Sequence, residues 1–385
     1  MVKPRISIVR TPSHPDKEAV ADAVRRAVEL AGGLPPDIGA GKTVLLKPNL
    51  VCAPRTREGG AVTHPELCRA VAELVREKGG FPVIADSAGV GTDTESVIDF
   101  MGYGQLREDG FTVLDLKKTK SRRVINPHAT VLPSMRVFEP ALQADAIINL
   151  PVMKTHDQAE ITISLKNLKG LLADSSKKEM HRKGLFRGIP EMALYFKPCF
   201  TVVDGIYTQE GVGPVYGDPV EMDLILAGRD MVALDTIAGL IIGYRPEEVA
   251  TTVLAAELGL GRADPEEIEI AGLPWESVRR PFKRCSQSAI INESLPCRLE
   301  IGGDTCTGCR NTVIAVLTEM KEDNLLSRLA GKTIITGRPP GHAIAGNLVL
   351  VGNCAKPWRA KGRYIEGCPP ENSMIIDILL EGLAR

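Results

Sequence analysis

The residues with the clearest chemical potential are cysteines near the end of the chain. Cys306 and Cys309 form a CxxC, followed by Cys354 in Gly352-Asn353-Cys354 and Cys368 in Gly367-Cys368-Pro369-Pro370. A CxxC sets two sulfurs on one tight turn. Gly308 gives that turn backbone freedom, and its N–H groups offset thiolate charge. Two more thiols on glycine-containing loops complete a four-thiolate site, which suits zinc or an iron–sulfur cluster. Structural zinc sites more often pair two CxxC knuckles, and this chain has one. A cysteine followed by proline recurs at cluster sites. The pattern predicts a four-iron four-sulfur (4Fe-4S) cluster on Cys306, Cys309, Cys354 and Cys368, with zinc or a redox-active dithiol as alternatives. Cys285 and Cys297 read as small core residues whose other role would be spare ligands. Cys68 lies on an apolar helix face and reads as structural. Cys52 follows a strand end and draws more attention, and Cys199 stands apart.

A second set of polar residues follows expected strands. Lys47-Pro48-Asn49 comes after TVLLK, Asp86-Ser87 after PVIA, and Lys154-Thr155-His156 after Ile147–Val152. Ser164-Leu165-Lys166-Asn167-Leu168-Lys169-Gly170 continues the third segment, and Asp204-Gly205 and Glu210-Gly211 lie beyond. Lys47, Asn49, Lys154, His156, Lys166, Asn167 and Lys169 together would bind a phosphate or carboxylate. Asp86, Asp204 and Glu210 would hold a cation or exchange protons. His156, with Asp157 or Asp86, is the expected proton-transfer group, and Lys154 the neighbouring cation. The bland alternative for each is a solvated lysine or a turn. PDIGAGKT resembles a phosphate loop, but Pro36 occupies its first glycine position and the stretch precedes a strand. Thr63 and Glu66 fit a capping box, and Asp230 reads as a helix N-cap. His14, His128 and His342 have no partner pattern.

These residues need a scaffold. Arg5–Arg10, Thr43–Lys47, Pro82–Asp86, Phe111–Leu116, Asp145–Leu150, Phe200–Asp204, Asp223–Ala227 and Ile268–Ala271 read as short strands. Helical spacing occupies Asp16–Ala31, a stretch from Thr63 to about Lys78, Thr94–Tyr103, and roughly 230–243 and 247–258. Alternating apolar strands and helices predict an α/β fold with a mostly parallel sheet and helices on both faces. Ligands then sit beyond the carboxyl ends of the strands. The pattern breaks near Gly272–Pro281. It divides the chain into an α/β anion- or substrate-binding domain (1–275) and a smaller C-terminal cysteine-bearing α/β domain (276–385) with six of the nine cysteines. The latter should hold a helix near Val313–Asp323, strands at Thr333–Thr336 and Leu348–Val351, and a final helix from about Ser373.

The chain has 385 residues, 44% hydrophobic and 25% charged, with a net charge of −1 and 4% aromatics. That composition is globular. It offers no basic footprint for nucleic acid or an anionic membrane and no base-stacking surface. MVKPRISIVR has no apolar signal-peptide core. The most apolar stretches are too short to span a bilayer. Nine cysteines under reducing conditions suit metal or thiol chemistry in the cytoplasm.

Lys47-Pro48-Asn49, Thr63-His64-Pro65-Glu66 and Asp86-Ser87 resemble one known family. So do Pro151-Val-Met-Lys154-Thr-His156, Ser164-Leu-Lys166-Asn167-Leu-Lys169-Gly170, Val203-Asp204-Gly205-Ile206 and Ala227-Gly228-Arg229-Asp230. This is the bacterial and archaeal domain-of-unknown-function family numbered 362, and the resemblance covers about residues 5–272. Its members are often described as iron–sulfur cluster-binding, and many carry tightly spaced CxxCxxC runs. Here the cysteines are spread as CTGC, GNC and GCPP. The family name implies no reaction and no catalytic residue. The expected function is an iron–sulfur oxidoreductase or electron-transfer protein acting on an anionic small molecule, with a redox partner protein as a further expected partner. The rivals are a non-redox enzyme with structural zinc and a non-catalytic iron–sulfur carrier or sensor.

Single Cys→Ser changes at Cys306, Cys309, Cys354 or Cys368 should abolish metal binding, whereas Cys68→Ser should not. Iron, sulfide and zinc analysis of anaerobically purified protein reads the result. Full metal content in all four variants would refute the ligand set.

Overall fold

The computed structural model describes residues 3–303, 305–338 and 346–381; His342 lies outside them. The strands are β1 (Arg5–Arg10), β2 (Thr43–Lys47), β3 (Phe81–Asp86), β4 (Thr112–Asp115), the hairpin β5 (Ser121–Ile125) and β6 (Ser134–Phe138), β7 (Ala146–Asn149), β8 (Val152–His156), β9 (Glu160–Thr162), β10 (Phe200–Val212), β11 (Tyr216–Gly228) and β12 (Glu269–Gly272). Beyond them come β13 (Arg298–Ile301), β14 (Lys332–Thr336), β15 (Asn347–Val351) and β16 (Arg363–Ile365).

The main sheet runs β12-β1-β11-β10-β7-β2-β3-β4. From β10 to β4 every pairing is parallel. β11 lies antiparallel between β1 and β10. β8 pairs parallel with β10 and carries β9 antiparallel on its other side. Successive strand residues face opposite ways, so the sheet is buried on both faces. Val44 and Leu46 meet helices Lys17–Leu30 and Pro65–Glu77 on one side. Leu45 packs with helix Leu185–Phe196 on the other, and Ile6 and Ile8 pack there with helix Met231–Ile241. The chain is thus α/β with a mostly parallel sheet and helices on both faces. The C-terminal part adds a separate parallel sheet, β13-β14-β15-β16. Its core joins Val349, Val351 and Ile365 to helices Thr307–Glu322 and Asn372–Leu380. Val212, at the tip of β10, enters that core. Cys285 is buried in it and Cys297 packs against it.

Several elements depart from the sequence reading. β10 and β11 are 13 residues each, far longer than Phe200–Asp204 and Asp223–Ala227. The glycines that read as punctuation sit inside a long hairpin, which absorbs Gly205 at a register shift. Asp204 and Glu210 therefore stand within a strand, not on a loop. Lys154, Thr155 and His156 also lie in a strand, β8, because Pro151 separates β7 from a second extended segment. Thr63 does not cap helix Pro65–Glu77; His64 does. The Thr63 hydroxyl instead accepts the Asn49 N–H and donates to the Leu150 carbonyl, both at 2.8 Å. The helix expected over Thr94–Tyr103 stops at Met101, where Gly102 turns left-handed at φ 83°. Asp230 caps its helix, accepting from Val232 and Ala233 at 2.9 Å.

The carboxyl ends of β2 and β3 are tied together. Lys47 Nζ lies 2.7 Å from Asp86 Oδ1, with side chains 1% and 4% exposed. Asp86 also accepts the Leu50 and Ser87 N–H groups at 2.7 Å. Gly170 crosses directly above: a Cβ there would fall 1.9 Å from Asp86 Oδ1 and 2.8 Å from Lys47 Cε. A residue with no side chain is required at that crossing.

Removing one member of a buried ion pair strands the other, at a cost of about 3–5 kcal/mol. Lys47→Met and Asp86→Ala should each destabilise by that order, and the double variant by clearly less than their sum. Urea unfolding of the four proteins tests this; strictly additive losses would refute the coupling.

Candidate functional site

A cavity of about 310 Å³ opens at the ends of β2 and β3 and along β8. Lys47, Asn49, Asp86, Lys154, His156, Lys166, Asn167 and Lys169 all line it. Asp204 and Glu210 do not. Asp204 accepts the N–H groups of His64 at 2.6 Å and Ile206 at 3.0 Å. Glu210 binds Arg280 Nη1 at 2.9 Å and the Lys283 N–H at 3.1 Å. Both carboxylates are committed to holding β10 against its neighbours, so neither acts in this cavity.

Lys154 is fully buried in β8. Its ammonium donates to Asn49 Oδ1 at 3.2 Å and to the Ala61 carbonyl. No carboxylate among the described residues pairs with it, and burial pushes its pKa down to about 7. Asn167 knits the floor: its amide donates to Asn149 Oδ1 at 2.8 Å and its oxygen accepts from Asn49 at 2.9 Å. Lys166 precedes it on the short helix Ser164–Asn167. Asp235 holds that helix by its first N–H groups, Ser164 at 2.7 Å and Leu165 at 3.2 Å. Lys166 is half-buried and makes no hydrogen bond or ion pair among the described residues. Burial lowers its pKa to about 7, with Asp157 opposing and Lys154 adding.

His156 and Asp157 form a buried pair, Nδ1 to Oδ1 at 2.7 Å. Burial, then the Lys166 charge, lowers the His156 pKa to about 4, so its ring is neutral near pH 7. Burial opposes ionisation of Asp157, but His156, Asn372 and Lys166 outweigh it and hold the carboxyl low. The same Nδ1 also accepts the Gln158 and Ala159 N–H groups, at 2.9 and 3.3 Å. Asp157 Oδ1 accepts the Gln158 N–H as well, at 2.8 Å. A neutral imidazole keeps one unprotonated ring nitrogen, which is what a general base needs.

Sequence reasoning missed Lys177 and His181, which also line the cavity. Lys177 donates to Ser87 Oγ and the Ala88 carbonyl at 2.8 Å and to Asp174 at 3.1 Å. His181 Nε2 meets Lys169 Nζ. Their signal was an i, i+4 spacing on a charge-rich helix. Cys52 lines the wall as well, whereas Cys68 is buried with its sulfur 3.4 Å from the Tyr103 hydroxyl.

The cysteine-bearing part closes one side of the cavity. The Cys368 N–H donates to the His181 carbonyl at 2.7 Å, and Leu185 N–H to the Cys368 carbonyl at 2.9 Å. Gln158 Nε2 donates to the Pro370 carbonyl at 2.8 Å, and Asn372 Nδ2 to Asp157 Oδ2 at 3.1 Å. Glu371, Asn372 and Ser373 join the lining; none of Cys306, Cys309, Cys354 and Cys368 does.

Helix Thr307–Glu322 starts nearly two turns earlier than read, with Cys306 as its N-cap residue and Cys309 in its first turn. The Cys309 thiol and the Cys309 and Gly308 N–H groups lower the Cys306 pKa to about 6, against burial. Cys309 is raised by that same hydrogen bond, by burial, and by the charges of Cys306, Cys368 and Cys354. All three therefore lie within electrostatic reach of it. Gly352 sits so close that a Cβ would be 2.6 Å from the Cys309 sulfur. Among the described residues, no three His, Cys, Asp or Glu side chains are spaced to hold a single metal ion. One zinc draws its sulfurs to about 3.8 Å from one another; a cluster, itself several ångströms across, holds them farther apart. Four thiols with one already acidified fit a cluster by donor chemistry.

Among the described residues, no helix is long and apolar enough to cross a membrane. The chain is 34% identical over 272 residues to the thylakoid-associated protein sll1697 of Synechocystis sp., covering 68% of this chain and 81% of that protein. The lactate racemase apoprotein from Thermoanaerobacterium thermosaccharolyticum aligns over 99% of this chain and 91% of its own at 10% identity, with a TM-score of 0.35, too distant to carry an argument. Residues 44–239, the stretch from β2 through helix Met231–Ile241, match the family described as Domain of unknown function (DUF362), and with the relative at 34% identity this establishes that the chain belongs to it.

Proposed function

We propose that this chain is an iron–sulfur-dependent oxidoreductase that binds a phosphate- or carboxylate-bearing small molecule between its lysines and moves a proton through His156. One observation carries the reading: five lysines, Lys47, Lys154, Lys166, Lys169 and Lys177, surround one cavity beside a neutral histidine. Lys47 is neutralised by Asp86. Lys154 and Lys166 lack such a partner among the described residues, and an anion would supply it. Ammonium groups buried this deeply act through a low dielectric, which strengthens the hold. Asn49 and Asn167 orient the bound group, and His156 gives or takes its proton.

A cluster held by Cys306, Cys309, Cys354 and Cys368 would supply or accept single electrons. The Cys368 loop meets His181, which in turn meets Lys169. Cys306 and Cys354 are exposed, leaving an edge that a redox partner protein could approach. The cysteine content suits a reducing, cytoplasmic setting. A carrier or sensor would need no such cavity. One observation favours a second reading, a non-redox enzyme with a structural metal such as zinc: none of the four cysteines lines the cavity.

The free protein holds Lys154 and Lys166 at pKa values of about 7. A bound anion favours their charged forms, so binding is strongest below about 7 and weakens as they lose protons above it. The expected loss is up to about tenfold per pH unit for each coupled lysine. His156, at about 4, stays neutral throughout that range. Calorimetric titration with oxalate, itself fully ionised, from about pH 6 to about pH 9 measures this. Affinity that is flat or rising with pH would refute the lysine site. Lys154→Met should weaken binding at the low-pH end by about tenfold or more.

A further inference from the structure

We infer that the anion taken by this cavity is a small carbonyl acid, a 2-oxo acid, whose carbonyl carbon is attacked by the Lys166 amine to form an imine. This rests on the reading of the cavity as an anion site and names its substrate class.

The cavity lysines differ in what already occupies them. Lys47 is paired with Asp86. Lys154 donates to Asn49 and Ala61. Lys169 meets His181. Lys177 donates to Ser87, Ala88 and Asp174. Lys166 alone makes no hydrogen bond or ion pair among the described residues, yet it lines the cavity and is only half-buried. Its backbone is fixed on both sides, by Asp235 at Ser164 and Leu165 and by Asn167 on Asn149. A long side chain on so anchored a stem, with its nitrogen uncommitted, is built to react and not to brace. A nucleophilic amine must also be neutral, and burial together with the Lys154 and Lys47 charges favours that form, Asp157 opposing.

The neighbours supply the remaining parts. Lys154, within electrostatic reach of Lys166 and with no carboxylate partner among the described residues, is the cation for a carboxylate. His156 is within electrostatic reach too, and its neutral ring keeps one unprotonated nitrogen, the base. The steps balance without an oxidant. The Lys166 lone pair forms the N–C bond and the carbonyl π pair moves to oxygen. Proton transfer from nitrogen to oxygen gives a carbinolamine, and its hydroxyl leaves as water with one proton taken up from solvent, giving a protonated imine. That cation acidifies the neighbouring C–H, whose proton passes to the unprotonated ring nitrogen of His156 and leaves a neutral enamine. Reprotonation and hydrolysis return the oxo acid with exchanged hydrogens and the free amine.

The test uses the full-length protein with pyruvate and then sodium borohydride, followed by peptide mapping. The expected result is a reduced adduct on the peptide containing Lys166. In heavy water the pyruvate methyl protons should exchange. Lys166→Arg keeps the cation but cannot form the imine, and should lose adduct and exchange alike. The wild-type map locates the adduct even if the variant folds poorly. An adduct that is absent, sits on another lysine or persists in Lys166→Arg overturns the inference. If oxalate binds and pyruvate gives no adduct, the imine fails while the anion site stands. If neither binds, both readings fail together.

Discussion

A lysine ammonium taken out of water must find a carboxylate, find carbonyls, or release its proton. The cavity in this chain is organised by that constraint. Five lysines line it with four carboxylates, Asp86, Asp157, Glu319 and Glu371. Asp86 is spent on Lys47, and Asp157 is shared with His156. Each remaining ammonium settles differently: Lys154 on amide and carbonyl oxygens, Lys177 on Ser87 and Asp174, Lys169 against His181, and Lys166 on no partner among the described residues. The depressed lysine and histidine pKa values follow from burial without full compensation. A site left in that state lowers its own energy when a negative group enters.

The sheet supplies the rigidity that such a site demands. Lys47 and Asp86 end adjacent parallel strands, so their separation is set by strand spacing. Gly170 then lets the segment bearing Lys166, Asn167 and Lys169 lie directly on that pair. Asp235, from the helix after β11, holds the other end of the same segment. Three distant stretches of chain thus converge on seven residues of backbone, and the polar groups there are satisfied mainly by one another.

The cysteine-bearing part completes the enclosure. Its connection to the cavity is made of backbone and amide hydrogen bonds around Cys368, Pro370 and Asn372, with the β10 tip embedded in its core. Anything that reorders the Cys368 loop must therefore be felt at Asp157 and at His156 beside it. Thiol chemistry and the proton-transfer pair are neighbours in a mechanical sense, whatever passes between them.

Much of this was legible in the linear chain. Continuous runs such as TVLLK and PVIAD can only be strands buried on both faces, and they alternate with helical spacing, so the α/β class follows. Polar residues just past such strands must gather at one rim, which is why Lys47, Asn49, Asp86, Lys166 and Asn167 could be named together. Lys154 and His156 do line the cavity, but from a strand where a loop was expected, because local pattern cannot show that a strand continues beside β10. Asp204 and Glu210 were drawn in by the glycines around them; only the long hairpin shows that their oxygens are bound to His64 and Arg280. Lys177 and His181 carried no local sign beyond helical spacing, and their place depends on helix Asp174–Lys183 packing against β6, from where Lys177 reaches Ser87 and Ala88 just past β3. Residue type and strand order decide which groups can meet. Which of them stay uncommitted, as Lys166 does, is decided by partners distant in sequence that only the tertiary structure brings within hydrogen-bonding distance.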